Sequence, residues 1–155
     1  MEQLNEYRQR LVERLEAATR EFVAAVQAVA RPKSPLEAGG WNAHQIAVHT
    51  RDTHALVYGL RIRRTLAEEN PLFENFDGEK WMAENYNGDE PLASILDGLT
   101  ASVRETVASL RGLAPAGWAR SSRHATLGEG FAVQTWAERA LAHIEEHLAS
   151  VRRAV

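Results

Sequence analysis

Residues 133–151 read VQTWAERALAHIEEHLASV. Val133, Trp136, Ala140, His143, His147 and Val151 recur at spacings of three and four, the pattern of an amphipathic helix turning one stripe toward a core. His143 and His147 are one helical turn apart and about 40° apart around the axis, so both imidazoles can address one point. A polar ring on an inward stripe is costly unless it finds a partner. The stripe therefore needs other helices to pack against, and the histidine pair needs a third group.

The rest of the chain supplies candidate helices. Residues 3–30 carry Leu4, Leu11, Leu15, Ala18, Phe22, Val26 and Val29 on one stripe with no Gly or Pro, and Arg31–Pro35 and Gly39-Gly40 end that run. Asn42 is a good N-cap for a second helix reaching about residue 67, with Ile46, His49, Thr53, Leu56 and Leu60 as its expected stripe. Residues 68–91 are irregular, with Asn70-Pro71, Asp77-Gly78 and Asn87-Gly88 as turn signals and room for a short helix over Glu79–Tyr86. Phe73, Phe76, Trp81 and Tyr86 make this the most aromatic stretch, read as an anchoring cluster under a long connection in preference to a lid. Pro91 suits the first position of a third long helix with Leu92, Ile95, Leu99, Val103, Val107 and Leu110 inward, ended by Gly112 or Pro115. Residues 113–131 read as a loop closing in a Gly-Glu-Gly turn, and no segment shows a strand-like alternation.

Four amphipathic helices imply an all-α four-helix bundle with long connections, organised as one domain over residues 1–155. The second connection is long enough to carry the chain along the bundle, so a simple up-down-up-down order is not required.

Composition narrows the function classes. The 45% hydrophobic and 25% charged fractions are those of an ordinary globular protein, and the net charge of −3 argues against nonspecific nucleic-acid binding. With no cysteine, disulfides, thiolate nucleophiles and Cys-based zinc sites are all excluded, which fits a reducing cytoplasm. The charged N-terminus MEQLNEYRQR has no signal-peptide core, and no apolar run approaches the ~20 residues of a membrane span.

His49, His143 and His147 replace apolar residues on two core-facing stripes. Either each ring has its own hydrogen-bond partner, or the three share a metal ion with one position left open. Zinc, nickel, iron and manganese all accept such ligands. His44 and His54 are each five residues from His49, about 140° around the helix, and do not share its face. The pair is not the zincin His-Glu-x-x-His, because Ile144 stands where the general-base Glu would be. Glu145 faces away from the pair, whereas Glu146 and Asp52 read either as surface charges or as partners to a ligand imidazole.

Trp41-Asn-Ala-His-Gln-Ile-Ala-Val-His49, a long helix, and a late His143-x-x-x-His147 pair together resemble the DinB/YfiT-like superfamily over nearly the whole chain. The resemblance implies a four-helix bundle binding one divalent ion, zinc or nickel in the usual case, through His49, His143 and His147. Characterised members of that superfamily include thiol-dependent S-transferases and a mycothiol-dependent maleylpyruvate isomerase; many members are dimers, which implies a homodimer here, and many have no known reaction.

The corresponding chemistry is activation of water or a low-molecular-weight thiol against an electrophilic small molecule. The nucleophilic sulfur would be the small molecule's, since the chain has none to offer. A noncatalytic metal bundle and a small-molecule (toxin) binding module are the alternative classes. Arg120 and Arg123 read as surface charges in preference to substrate carboxylate ligands, and His124 as exposed in preference to a general base. Trp41 and Trp136 are expected to pack near the site.

Overall fold

Helix α1 spans Glu2–Gln27 in the computed structural model, which describes residues 1–153. It buries Leu11, Leu15, Ala18, Phe22 and Val26, whereas Leu4, at the helix start, is exposed. Asn42 caps α2 (Ala43–Thr53) through a reciprocal box: its side chain accepts from the Gln45 amide and the Gln45 side chain accepts from its own. A π-helical turn, His54–Tyr58, joins α2 without a break to α3 (Gly59–Ala67).

The long connection contains β1 (Leu72–Phe73) and α4 (Gly78–Asn85), the latter capped by Asp77. Helix α5 follows over Leu92–Leu110, with Pro91 as its cap residue, one position before the place expected from the sequence. A single turn, α6 (Pro115–Trp118), leads into β2 (Ser121–His124) and β3 (Gly128–Ala132), and α7 (Val133–Arg153) ends the described chain.

The direction of each helix follows from its side-chain register. Tyr7 donates to Glu138, Arg14 pairs with Glu145 at 3.2 Å, and Arg152 pairs with Glu21 at 3.7 Å. All three contacts share one sequence offset and recur every seven residues, so α1 and α7 run parallel like a coiled-coil seam. Helices α2 and α3 run antiparallel to α7: His49 meets His143 and His147, while Arg61, further on, meets Trp136, earlier in α7. Arg51 lies beside Gly98 and Gly59 beside Thr106, so α2–α3 and α5 are parallel. The order is therefore up, down, down, up, with the long second connection returning the chain between the two parallel down helices. Phe22, Ile62, Leu99, Trp136 and Ile144 are fully buried where the four meet.

Strands were not expected, but a three-stranded sheet of order β1-β2-β3 is present, β1 parallel and β2 antiparallel to their partners in sequence. These strands are two to five residues long and carry Ser, Arg, His and Gly, so no hydrophobic alternation advertises them. The hairpin turn is residues 125–127; Gly128 and Gly130, expected to form the turn, lie in β3 with φ of 98° and 81°. No helix among the described residues is long and apolar enough to cross a membrane.

Candidate metal centre

The inward stripe of α7 is centred on Val133, Trp136, Ala137, Ala140, Ile144, Leu148 and Val151. His143 and His147 are half-buried at the edge of this stripe, not in its middle. That edge faces α2, and His49 reaches it from the turn before the π-helical segment. His49 Nε2 lies 3.1 Å from His143 Nε2, which lies 3.1 Å from His147 Nε2, and one ligand atom from each ring falls within 4.8 Å of the others.

Two nitrogens bound to one tetrahedral zinc at about 2.0–2.1 Å would be about 3.3–3.4 Å apart. The observed spacing is close to this. A neutral imidazole has one N–H, so three Nε2 atoms aimed at one another cannot all be satisfied among themselves. The donor set therefore fits a shared divalent cation.

The electrostatics favour the neutral, ligating form. Burial, with repulsion from His147, lowers the pKa of His49 to about 4; burial and the neighbouring rings lower His143 to about 3; burial lowers His147. His143 Nδ1 is buried without a partner, so packing holds that ring. His49 Nδ1 has Thr53 Oγ1 at 3.4 Å, and the half-buried Trp41 tilts over the ring at 4.9 Å between centroids.

Asp52 does not hold an imidazole. It accepts from the Trp81 indole at 3.1 Å and from Arg51 at 2.9 Å, which ties α4 to α2. Glu146 is exposed and Glu145 pairs with Arg14, as their helical angles require. His44 is bound by Tyr86 Oη and Glu90 O, and His54 by Thr106 Oγ1, both away from the triad.

His49 and His143 line a cavity of about 290 Å³ together with Tyr58, Arg61, Phe76 and His124. From the π-turn onward the expected stripe residues Leu56 and Leu60 are exposed and half-buried, while Val57, Arg61 and Thr65 are buried. A π-turn closes an i→i+5 bond and so holds one extra residue, which shifts every later position by one. That shift puts Tyr58 and Arg61 on the His49 side.

His124 is buried, contrary to expectation, because its Nδ1 accepts from the Thr126 and Leu127 amides at 3.2 and 3.1 Å inside the hairpin turn. Phe76 belongs to the aromatic connection, which acts both as anchor and as wall: Phe73 packs edge-on to Trp136 at 5.9 Å. Gly78 lets that wall close, since a Cβ there would stand 3.0 Å from His49 Cε1.

Arg120 and Arg123 take no part in this cavity. They donate to the carbonyls of Thr65 and Glu68, and of Asn70, fastening β2 to the end of α3. Trp136 is fully buried and donates to Ser122 Oγ at 2.8 Å. A larger cavity of about 520 Å³ lies between α1, α5 and α6, lined by Arg8, Arg111 and Trp118, and contains none of the three histidines.

Comparison with known proteins bears on this arrangement. The family model of the DinB superfamily matches residues 2–151. A Bacillus mycoides (strain KBAB4) protein provisionally named a metal-dependent hydrolase is 28% identical over 124 residues, 77% of this chain and 69% of that protein. A Bacillus licheniformis protein with the same provisional name is 38% identical over 48 residues, 31% of this chain and 27% of its own length. The fold is that of YfiT from Bacillus subtilis, described as a probable metal-dependent hydrolase with an unusual four-helix bundle topology. The TM-score is 0.86 at 21% identity, covering 96% of this chain and 86% of YfiT.

Proposed function

This chain belongs to the DinB superfamily, and from that membership we propose that it is a metal-dependent enzyme acting on small electrophilic molecules, with His49, His143 and His147 as the metal ligands. The convergence of the three Nε2 atoms carries this reading. A divalent ion of the zinc or nickel type would supply Lewis acidity there, lowering the pKa of a water or of a small thiol.

The chain's own residues supply the rest. His124 Nδ1 is occupied by two backbone donors, so the proton of its neutral ring is on Nε2, available to a substrate oxygen. Burial raises the pKa of Tyr58, whose hydroxyl stays protonated as a second donor beside His143. Fixed donors of this kind stabilise charge that develops during attack. Phe76 and Gly78 close the wall over His49 and limit bulk water.

Hydrolysis is supported by the provisional names of the Bacillus relatives. Transfer from a low-molecular-weight thiol is the close variant, in which the sulfur would be brought in by the small molecule because the chain has no cysteine.

Elemental analysis of purified wild type beside His49→Ala and His143→Ala tests the ligand set. Metal near one equivalent in the wild type and its loss from both variants is expected; equal content in all three refutes the site. The reaction is tested by metal-loaded protein with a model ester, and with glutathione, bacillithiol or mycothiol and a model electrophile. A noncatalytic metal bundle would keep the metal and accelerate neither.

A further inference from the structure

Arg61 is 7% exposed, yet no carboxylate among the described residues lies within ion-pair distance of it. Its one hydrogen bond runs from Nη2 to the Glu74 carbonyl oxygen at 2.9 Å. The flat guanidinium lies over Trp136 at 4.8 Å and Phe73 at 5.6 Å from the ring centroids, so its plane is fixed by aromatic faces. It lines the same cavity as His49 and His143.

No carboxylate acts on Arg61 itself, although Glu146 acts on Tyr58 and His49, Asp52 on His49 and Glu74 on His124 around the same cavity. Tyr58 and His124 are neutral donors, Arg139 lies over the same Trp136 at 5.9 Å, and the Glu74 side chain is exposed. A buried cation without an anion is costly unless something pairs with it. Its other guanidinium nitrogens are not among the fully buried unpartnered atoms, so they keep some accessible surface, and Arg61 lines the cavity.

We propose that Arg61 is the anion-binding residue of this site, and that the molecules it takes carry a carboxylate in the same cavity as their reacting group. The fixed, planar fork suits the planar two-oxygen geometry of a carboxylate. The cavity of about 290 Å³ limits the substrate to a small organic acid or a carboxyl-bearing thiol conjugate. One wall is aromatic, through Phe76. The π-turn is what makes this subsite, since it moves Arg61 onto the His49 side in place of Leu60.

The proposal rests on the metal-site reading only for the reaction that takes place beside the carboxylate. Binding of the carboxylate itself belongs to Arg61 and is measured without metal.

The test uses chelator-treated and metal-loaded wild type, Arg61→Met and Arg61→Lys. The probes are 3-phenylpropionate and succinate, each beside its neutral amide, with binding followed by calorimetry and folding by thermal melting. Both carboxylates are expected to bind metal-free wild type at least tenfold more tightly than their amides. Arg61→Met should remove that preference without loss of metal content, and Arg61→Lys should retain part of it.

Carboxylate binding unchanged in Arg61→Met overturns the proposal, as does failure of both carboxylates to bind the wild type. Binding that appears only in metal-loaded protein also overturns it, because the ion and not Arg61 would then be the receptor. Failure of the wild type to take up metal would refute the metal reading while leaving the carboxylate-to-amide comparison intact. Inorganic phosphate is the competing anion; if it displaces 3-phenylpropionate at lower concentration than succinate does, the site is a phosphate site and the assignment fails.

Discussion

At the scale of single residues, the triad was legible because helical spacing alone brings His143 and His147 to one face, and His49 interrupts a stripe of the opposing helix. Tyr58, Arg61 and His124 were not legible, since a π-turn and a two-residue capping interaction decide where they point. The depressed histidine pKa values have a consequence for stability. An unfolded histidine titrates near 6.5, whereas His49 and His143 in the fold titrate at about 4 and about 3. Between those limits the unfolded chain binds more protons, so stability of the metal-free protein falls as pH drops from about 6.5 toward 4. Thermal melts across that range should show a shallower fall for the His49→Gln, His143→Gln double variant than for wild type. Parallel curves would mean that the two rings are not desolvated as described.

At the scale of elements, the long helices were legible because their apolar period is 3.6 residues, and their ends because Asn42 and Pro91 cap them. The π-turn leaves no mark in that period except a stripe that fails, at Leu56 and Leu60. Gly59 is its structural signature. A Cβ at Gly59 would stand 2.9 Å from the His54 carbonyl oxygen, 3.1 Å from Thr106 Oγ1 and 3.2 Å from His54 Nε2. Gly59→Ala gains about 1 kcal/mol of helix propensity but overpacks a buried junction, at a cost of about 1–3 kcal/mol. Because the nearest clash is with backbone, the cost should win. The variant should melt several degrees lower, a shift of roughly 2–4 °C per kcal/mol for a chain of this size. An unchanged or higher melting temperature would show that the π-turn relaxes freely.

At the scale of the molecule, the up-down-down-up order explains how the site is made and why it is separable from the fold. Returning the chain through residues 68–91 leaves α2 beside α7, where His49 can meet the pair, and lays the aromatic connection across the opening. The order of the helices was not legible beforehand, because helix stripes say which faces are buried and not which helices are neighbours. Buried residues from Leu11 to Val26 in α1 and from Ile95 to Leu110 in α5 form a continuous core with Ile62, Trp136 and Ile144, a cluster that includes none of the three histidines. A small zinc domain unfolds when its ion is removed, because the ion replaces a core. Here the core exists without it. Chelation should therefore cost up to about 4 kcal/mol of stability for an ion at ~1,000 times its Kd and lower the melting temperature, yet leave the far-ultraviolet helical signal at 25 °C unchanged. His49→Ala should then melt close to the chelated wild type and respond little to added zinc. Collapse of the helical signal on chelation would instead make the ion part of the core, and would contradict the placement of the triad at the edge of the α7 stripe.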